Sequence, residues 1–155
     1  IQGGAGTSAN MNVNEVIANR ATEFLGGKKG EYLCHPNDHV NCSQSTNDVI
    51  PTAGRLTVIE LAAELETNVN ELIAALDEKA AEFNDIIKMG RTQLEDAVPI
   101  RLGQEFAAYS SGIKRCLRLV KKAVNEMHSL NLGGTAIGTS INVRKVYVVE
   151  TLLKA

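Results

Sequence analysis

The sequence predicts an all-α fold built as a bundle of long helices, and three observations carry that expectation. Two runs of about thirty residues, about 45 Å each at 1.5 Å per residue, place apolar side chains at steps of three and four. Their stripes are narrow, so two such helices cannot close a core alone and need further helices beside them. Four polar stretches rich in glycine, asparagine, serine and threonine alternate with the helical patterns.

The first polar stretch is Gly3-Gly4-Ala5-Gly6-Thr7-Ser8. A short helix should follow from about Met11 to Leu25, with Val13, Val16, Ile17 and Phe24 on one side and Gly26-Gly27 as its stop. The second polar stretch, Lys28 to Asp48, shows no clear period. It ends in Ser45-Thr46-Asn47-Asp48 before Val49-Ile50-Pro51. Proline is tolerated in a first helical turn, so Asn47 or Asp48 should sit near the N-cap of the first long helix. Hydroxyls and an amide beside free backbone N–H groups suit a carboxylate, although the same residues are also ordinary caps.

The first long stripe runs Val58, Leu61, Leu65, Val69, Leu72, Leu76, Ala80, Phe83, Ile87. The second runs Leu102, Phe106, Tyr109, Ile113, Leu117, Val120, Val124, Met127, Leu130. Between them, Lys88 to Val98 reads as a polar turn that includes Thr92-Gln93. The fourth polar stretch, Leu132 to Asn142, opens a further helix.

Composition excludes several function classes. A net charge of -2 gives no electrostatic reason to bind nucleic acid or an acidic membrane. With aromatics at 4% and no Trp, a base-stacking platform is not expected. No apolar run reaches the roughly 18 residues of a membrane span. Cys34, Cys42 and Cys116 are few and odd in number, which suits a reducing compartment and hence the cytoplasm. Cys34, His35, His39 and Cys42 cluster, but the spacing C-x4-H-x2-C matches no common zinc finger, and no metal is expected. Gly4, Gly6 and Ala9 fit G-x-G-x-x-A without the strand and βαβ unit a dinucleotide fold requires. His128 reads as a solvated or interfacial histidine, and Tyr109 and Met127 as core. Ile1 opens the chain without Met, and Ala155 falls inside an apolar, helical pattern, so both ends read as cuts through a longer protein.

Taken together, the polar stretches resemble the conserved blocks of the aspartase/fumarase superfamily. The blocks are Gly3 to Ala21, His35 to Asp48 with its His-Pro-Asn-Asp-His and Ser-Thr-Asn-Asp segments, Gly90-Arg91-Thr92-Gln93 to Glu105, and Leu132 to Asn142. They occur in the family's order and cover nearly the whole chain. The resemblance implies a long-helix fold in which residues 1–50 close an N-terminal domain and residues 51–155 open a central helical-bundle domain. It implies a homotetramer whose sites each draw on three subunits, acting on a small substrate without metal or cofactor. The implied reaction eliminates an amine or alcohol β to a carboxylate. A base removes the Cβ proton, and charge builds on the adjacent carboxylate as an aci-form dianion, which preorganised donors stabilise.

By family position, Thr7, Ser45 and Thr46 would hold the β-carboxylate and Asn47 would stand near the leaving amine. Thr92 would hold the α-carboxylate and Gln93 would contact substrate. His35, Asn37 and Asp38 match positions of a second anion site near the entrance. Gln93 stands where fumarases carry histidine, and it cannot work as an acid or base at neutral pH. That favours the ammonia-eliminating, aspartase branch, with class II fumarase and a non-catalytic helical assembly module as alternatives. Glu95 and Ser140 depart from the family's usual Gln and Gly. The family's serine loop, which carries the base and a substrate-binding lysine, is not among these 155 residues, so the chain alone is expected to be inactive.

Overall fold

The computed structural model describes residues 5–153. It is dominated by helices: α1 (Thr7–Phe24), a π-helical turn (Pro36–Val40), α2 (Thr46–Glu82), α3 (Leu102–Glu126) and α4 (Lys145–Leu152). Strands β1 (Ile87–Thr92) and β2 (Glu95–Arg101) form one antiparallel hairpin. The described residues divide into two compact units, 5–56 with 129–153 and 57–128.

In the first unit, α1 begins at Thr7, a turn earlier than its apolar pattern suggests, because the Asn10 N–H already bonds to the Gly6 carbonyl at 2.9 Å. Gly26, at φ 87°, ends it as expected. The face that α1 buries is mainly polar: Asn10, Asn14, Ala18 and Thr22, four residues apart. Its apolar residues Val13, Val16, Ile17 and Phe24 are exposed. The buried face is held by hydrogen bonds; for example, the Thr22 hydroxyl accepts the Cys34 N–H at 3.1 Å.

The cap of α2 also differs from expectation. Ser45 takes that role: its Oγ accepts the Asn47 N–H at 3.2 Å, and its own N–H donates to Asp48 Oδ1 at 2.8 Å. This reciprocal pairing is a capping box. Pro51 therefore falls in the second turn, where its missing N–H leaves the Asn47 carbonyl without its helical donor. The Asn131 side-chain amide fills that role at 3.0 Å.

In the second unit, the long stretch of α2 packs on α3. Only Ile73 and Leu117 are buried apolar side chains among the described residues of this unit. Stripe residues Val58, Leu61, Leu65 and Leu72 stay exposed, as narrow stripes on two helices must, and Tyr109, expected in the core, is 57% exposed as well. Phe83 and Ile87 fall past the end of α2, and Met127 and Leu130 past the end of α3. The helices are pinned where α2 ends and α3 begins. The Gly103 N–H bonds to the Phe83 carbonyl at 3.0 Å and the Leu102 N–H to the Ile86 carbonyl at 2.8 Å. Phe83 meets Phe106 edge-on at 5.3 Å.

Midway along, Asp77 accepts from the buried Ser110 hydroxyl at 2.5 Å and from Lys114 at 2.7 Å. Lys114, then Ser110, hold the Asp77 carboxyl below its usual range. The unfolded chain lacks these partners, so the brace adds stability above the ordinary carboxylate pKa of about 4. That stability is lost as pH falls through the lower folded value. Denaturant midpoints should therefore fall as the pH drops below about 4, with a slope that Asp77→Asn reduces.

The segment between the long helices is a hairpin rather than a simple polar turn. Thr92 pairs with Glu95 and Arg91 with Asp96, and a bulge at Gly90 shifts the register toward Met89 opposite Pro99. The connection is two residues, Gln93 and Leu94, both left-handed at φ 50° and 66°. Two-residue hairpins favour that conformation, but usually with Asn or Gly in it.

Candidate active-site cleft

The first unit gathers polar side chains at the start of α2. Asn10 and Asn14 are buried on α1. Asn10 Nδ2 donates to Thr46 Oγ1 at 3.0 Å and to Asn41 Oδ1 at 3.4 Å, and Asn14 Nδ2 donates to Asn41 Oδ1 at 3.0 Å. Thr46 Oγ1 accepts a hydrogen bond, as does Ser45 Oγ. A hydroxyl has one O–H to give, so both residues keep a donor for an incoming acceptor.

Two of the backbone N–H groups at this helix start are used internally. The Ser45 N–H goes to Asp48 and the Asn47 N–H to Ser45. An anion at this helix end would thus meet the Ser45 and Thr46 hydroxyls and fewer free N–H groups than a bare helix end offers.

Asp48 is 1% exposed. Its Oδ1 accepts from Ser45, and its Oδ2 accepts the N–H groups of Gly133 at 3.0 Å and Thr135 at 2.9 Å. Asn47 Nδ2 donates to the Ala136 carbonyl at 2.8 Å. The loop before α4 is thus drawn onto the α2 N-terminus. Gly133 fits there for two reasons: its φ is 86°, and an added Cβ would lie 2.5 Å from Val148 Cγ2. Burial, and then the charge of Asp48, push the Tyr147 hydroxyl pKa above its ordinary value.

Between residues 41–46 and this loop lies a cleft of about 650 Å³. Ser45 and Thr46 line one wall, and Thr135, Thr139 and Asn142 the other. None of its described lining residues is ionisable. Neutral hydroxyls and amides can hold a small anion by hydrogen bonding, but they cannot take its proton.

The other sequence-selected residues lie elsewhere. Thr7 opens α1 and is exposed, just after Gly6, whose Cβ position lies 3.0 Å from the Ile50 side chain of α2. Thr92 and Gln93 belong to the second unit, at the exposed hairpin tip. His35 caps the π-helical turn, its Nδ1 accepting N–H groups from Asn37 at 3.3 Å and Asp38 at 3.2 Å. Asp38 Oδ2 lies 3.3 Å from the same nitrogen. With two N–H groups aimed at it, that nitrogen presents its lone pair and makes no ionic bond to Asp38. The His35 N–H in turn donates to His39 Nδ1 at 2.8 Å. Asn37 and Asp38 are exposed.

The sequence reading did not pick out Asn10, Asn14, Asn41 or Asn131. The only signal was asparagine repeated four residues apart on α1, which buries a polar face.

This arrangement sits in a chain with close relatives. A family model described as Lyase matches residues 1–154. The aspartate ammonia-lyase of Bacillus subtilis (strain 168) is 50% identical over 153 residues, 98% of this chain and 32% of that protein. The aspartate ammonia-lyase of Helicobacter pylori (strain ATCC 700392 / 26695) is 56% identical over 148 residues, 95% of this chain and 32% of its own length. Among solved structures, the fumarate lyase:delta crystallin of Brucella melitensis superposes with a TM-score of 0.89 at 51% identity, covering 99% of this chain and 34% of that one. The class II fumarase of Schistosoma mansoni gives 0.88 at 41% identity, covering 99% and 33%. The chain therefore spans about a third of the length of these relatives. Matched over almost its whole length, the chain belongs to the lyase family that contains the aspartate ammonia-lyases and class II fumarases.

Proposed function

We propose that the full-length protein carrying this chain reversibly deaminates L-aspartate to fumarate and ammonia through an aci-carboxylate intermediate. The observation that carries this reading is the pair of hydroxyls at Ser45 and Thr46. Each has a lone pair occupied by a protein N–H and an O–H left to give, beside a cleft whose described lining is not ionisable. When a base takes the Cβ proton, the electron pair moves onto the β-carboxylate. It then returns to form the C=C bond as the C–N bond breaks and ammonia leaves. The Thr7, Ser45 and Thr46 hydroxyls donate to the β-carboxylate as its charge grows. Asn47 keeps Oδ1 for the leaving ammonium while Nδ2 holds Ala136. Thr92 and Gln93, supplied by another subunit of the homotetramer, receive the α-carboxylate and contact the substrate, Gln93 without titrating at neutral pH.

An outer anion site would use His35 Nε2 and the Asn37 amide, with Asp38 beside them on the same turn. Residues 1–50 close an N-terminal domain of the full-length protein, and 51–155 open its central bundle. The protein self-associates as a homotetramer, which would cover the exposed stripes of α2 and α3. Free Cys34, Cys42 and Cys116 support a cytoplasmic location. No helix among the described residues is long and apolar enough to cross a membrane.

The test is fumarate absorbance with the full-length protein on L-aspartate and on L-malate. Turnover of aspartate is expected. Turnover of malate alone would make it a hydratase, and turnover of neither would leave a non-catalytic assembly module.

A further inference from the structure

Asp48 does more than cap a helix. A capping carboxylate at this position needs one oxygen on the cap residue's N–H and normally keeps the other in water. Here the second oxygen is buried and accepts two N–H groups from the loop that begins the opposite wall. Among the described residues no cation pairs with Asp48, so backbone N–H groups and the positive end of α2 compensate the charge. The wall's own backbone bonds, such as Gly138 N–H to the Gly134 carbonyl, close the loop on itself rather than onto α2. Residues 136–142 are exposed, and Ile137 and Ile141 are each 82% exposed.

We propose that Asp48 is a positioning residue that sets the width of the cleft, one oxygen fixing the Ser45 wall and the other the Thr135 wall. The proposal rests on the function assigned to this cleft above. Asn47 and Asn131 reinforce it one residue away, through Ala136 and the Asn47 carbonyl.

Asp48→Asn in the full-length protein is the direct test. A carboxamide can offer its oxygen to Ser45 or to the Gly133 and Thr135 pair, but not to both, because its other end is a donor facing donors. Deuterium uptake by peptides covering residues 131–136 should accelerate at least tenfold, while uptake over residues 104–126 stays unchanged. KM for L-aspartate should rise about tenfold, with kcat changed less than threefold.

Thr52→Val controls for packing. Thr52 is buried one turn further along α2, with a hydroxyl that has no hydrogen-bond partner among the described residues. This variant should leave uptake and KM as in the wild type. Unchanged uptake over 131–136 in Asp48→Asn would overturn the proposal. So would faster uptake with an unchanged KM, which would make the clamp purely structural. Should Asp48→Asn not fold, Asn131→Ala loosens the same loop and must give the same uptake and KM signature in smaller measure; no change in either overturns the proposal. A wild type that turns over L-malate and not L-aspartate would defeat the assigned function alone, and the comparison is then made with malate.

Discussion

Gly103→Ala is expected to destabilise the second unit by about 3 kcal/mol, the upper end of what overpacking normally costs. A Cβ at position 103 would lie 2.3 Å from the Ala80 carbonyl oxygen and 2.9 Å from Asn84 Cα and N. All three are backbone atoms, so no side chain can rotate away, and relief requires α3 to move off the end of α2. That movement would stretch the bonds from Leu102 to Ile86 and from Gly103 to Phe83, and part the Phe83–Phe106 edge contact. Gly112 in the same helix is the control, because nothing lies within 4 Å of its Cβ position. Gly112→Ala should instead stabilise by up to about 1 kcal/mol, the helix-propensity gain over glycine. Urea unfolding followed by far-UV circular dichroism measures both. Opposite signs are expected, and a Gly103→Ala protein as stable as wild type would refute the close packing of α2 on α3.

The long helices were legible because their apolar residues repeat at the helical period, and the exposed stripes followed from their narrowness. The hairpin was not. Its second strand carries Pro99, which argues against a strand, and its tip is Gln93-Leu94 where the usual signal would be Asn-Gly. Leu94 is 94% exposed and left-handed, so neither turn chemistry nor burial marks it. The cap was expected near Asn47 or Asp48 and lies two to three residues earlier, at Ser45, for a tertiary reason. Pro51 looked like a first-turn residue, but it sits a turn deeper because Asn131, distant in sequence, serves the carbonyl that Pro51 cannot. The same limit hid the Asn10–Asn14–Asn41 network and the second role of Asp48. A buried polar residue looks like a surface residue until its partner is known. The residues proposed to face substrate were named from motif resemblance. Composition and spacing alone left Ser45 and Thr46 as ordinary capping residues, and the hydrogen bonds each accepts now show which donors remain.

Thr46→Val in the full-length protein is expected to lower kcat on L-aspartate about 100-fold or more, the usual cost of one donor to a developing oxyanion. Valine keeps the shape of threonine and removes only the O–H and its lone pairs. Asn10 Nδ2 loses its 3.0 Å acceptor but keeps Asn41 Oδ1 at 3.4 Å. The stability cost should therefore stay near about 1 kcal/mol. A change in kcat far larger than that cost, with KM moving less, would place the hydroxyl on charge that exists mainly in the transition state. Asn10→Ala separates the donor from its orientation. It leaves the Thr46 hydroxyl in place but removes the N–H that occupies its lone pair, so the O–H is free to rotate toward other acceptors. Its kcat should fall less than that of Thr46→Val, and the double variant should lose little beyond Thr46→Val, because both changes act through one O–H. Additive losses would mean that Asn10 acts by another route, and a Thr46→Val kcat within threefold of wild type would remove Thr46 from the oxyanion site.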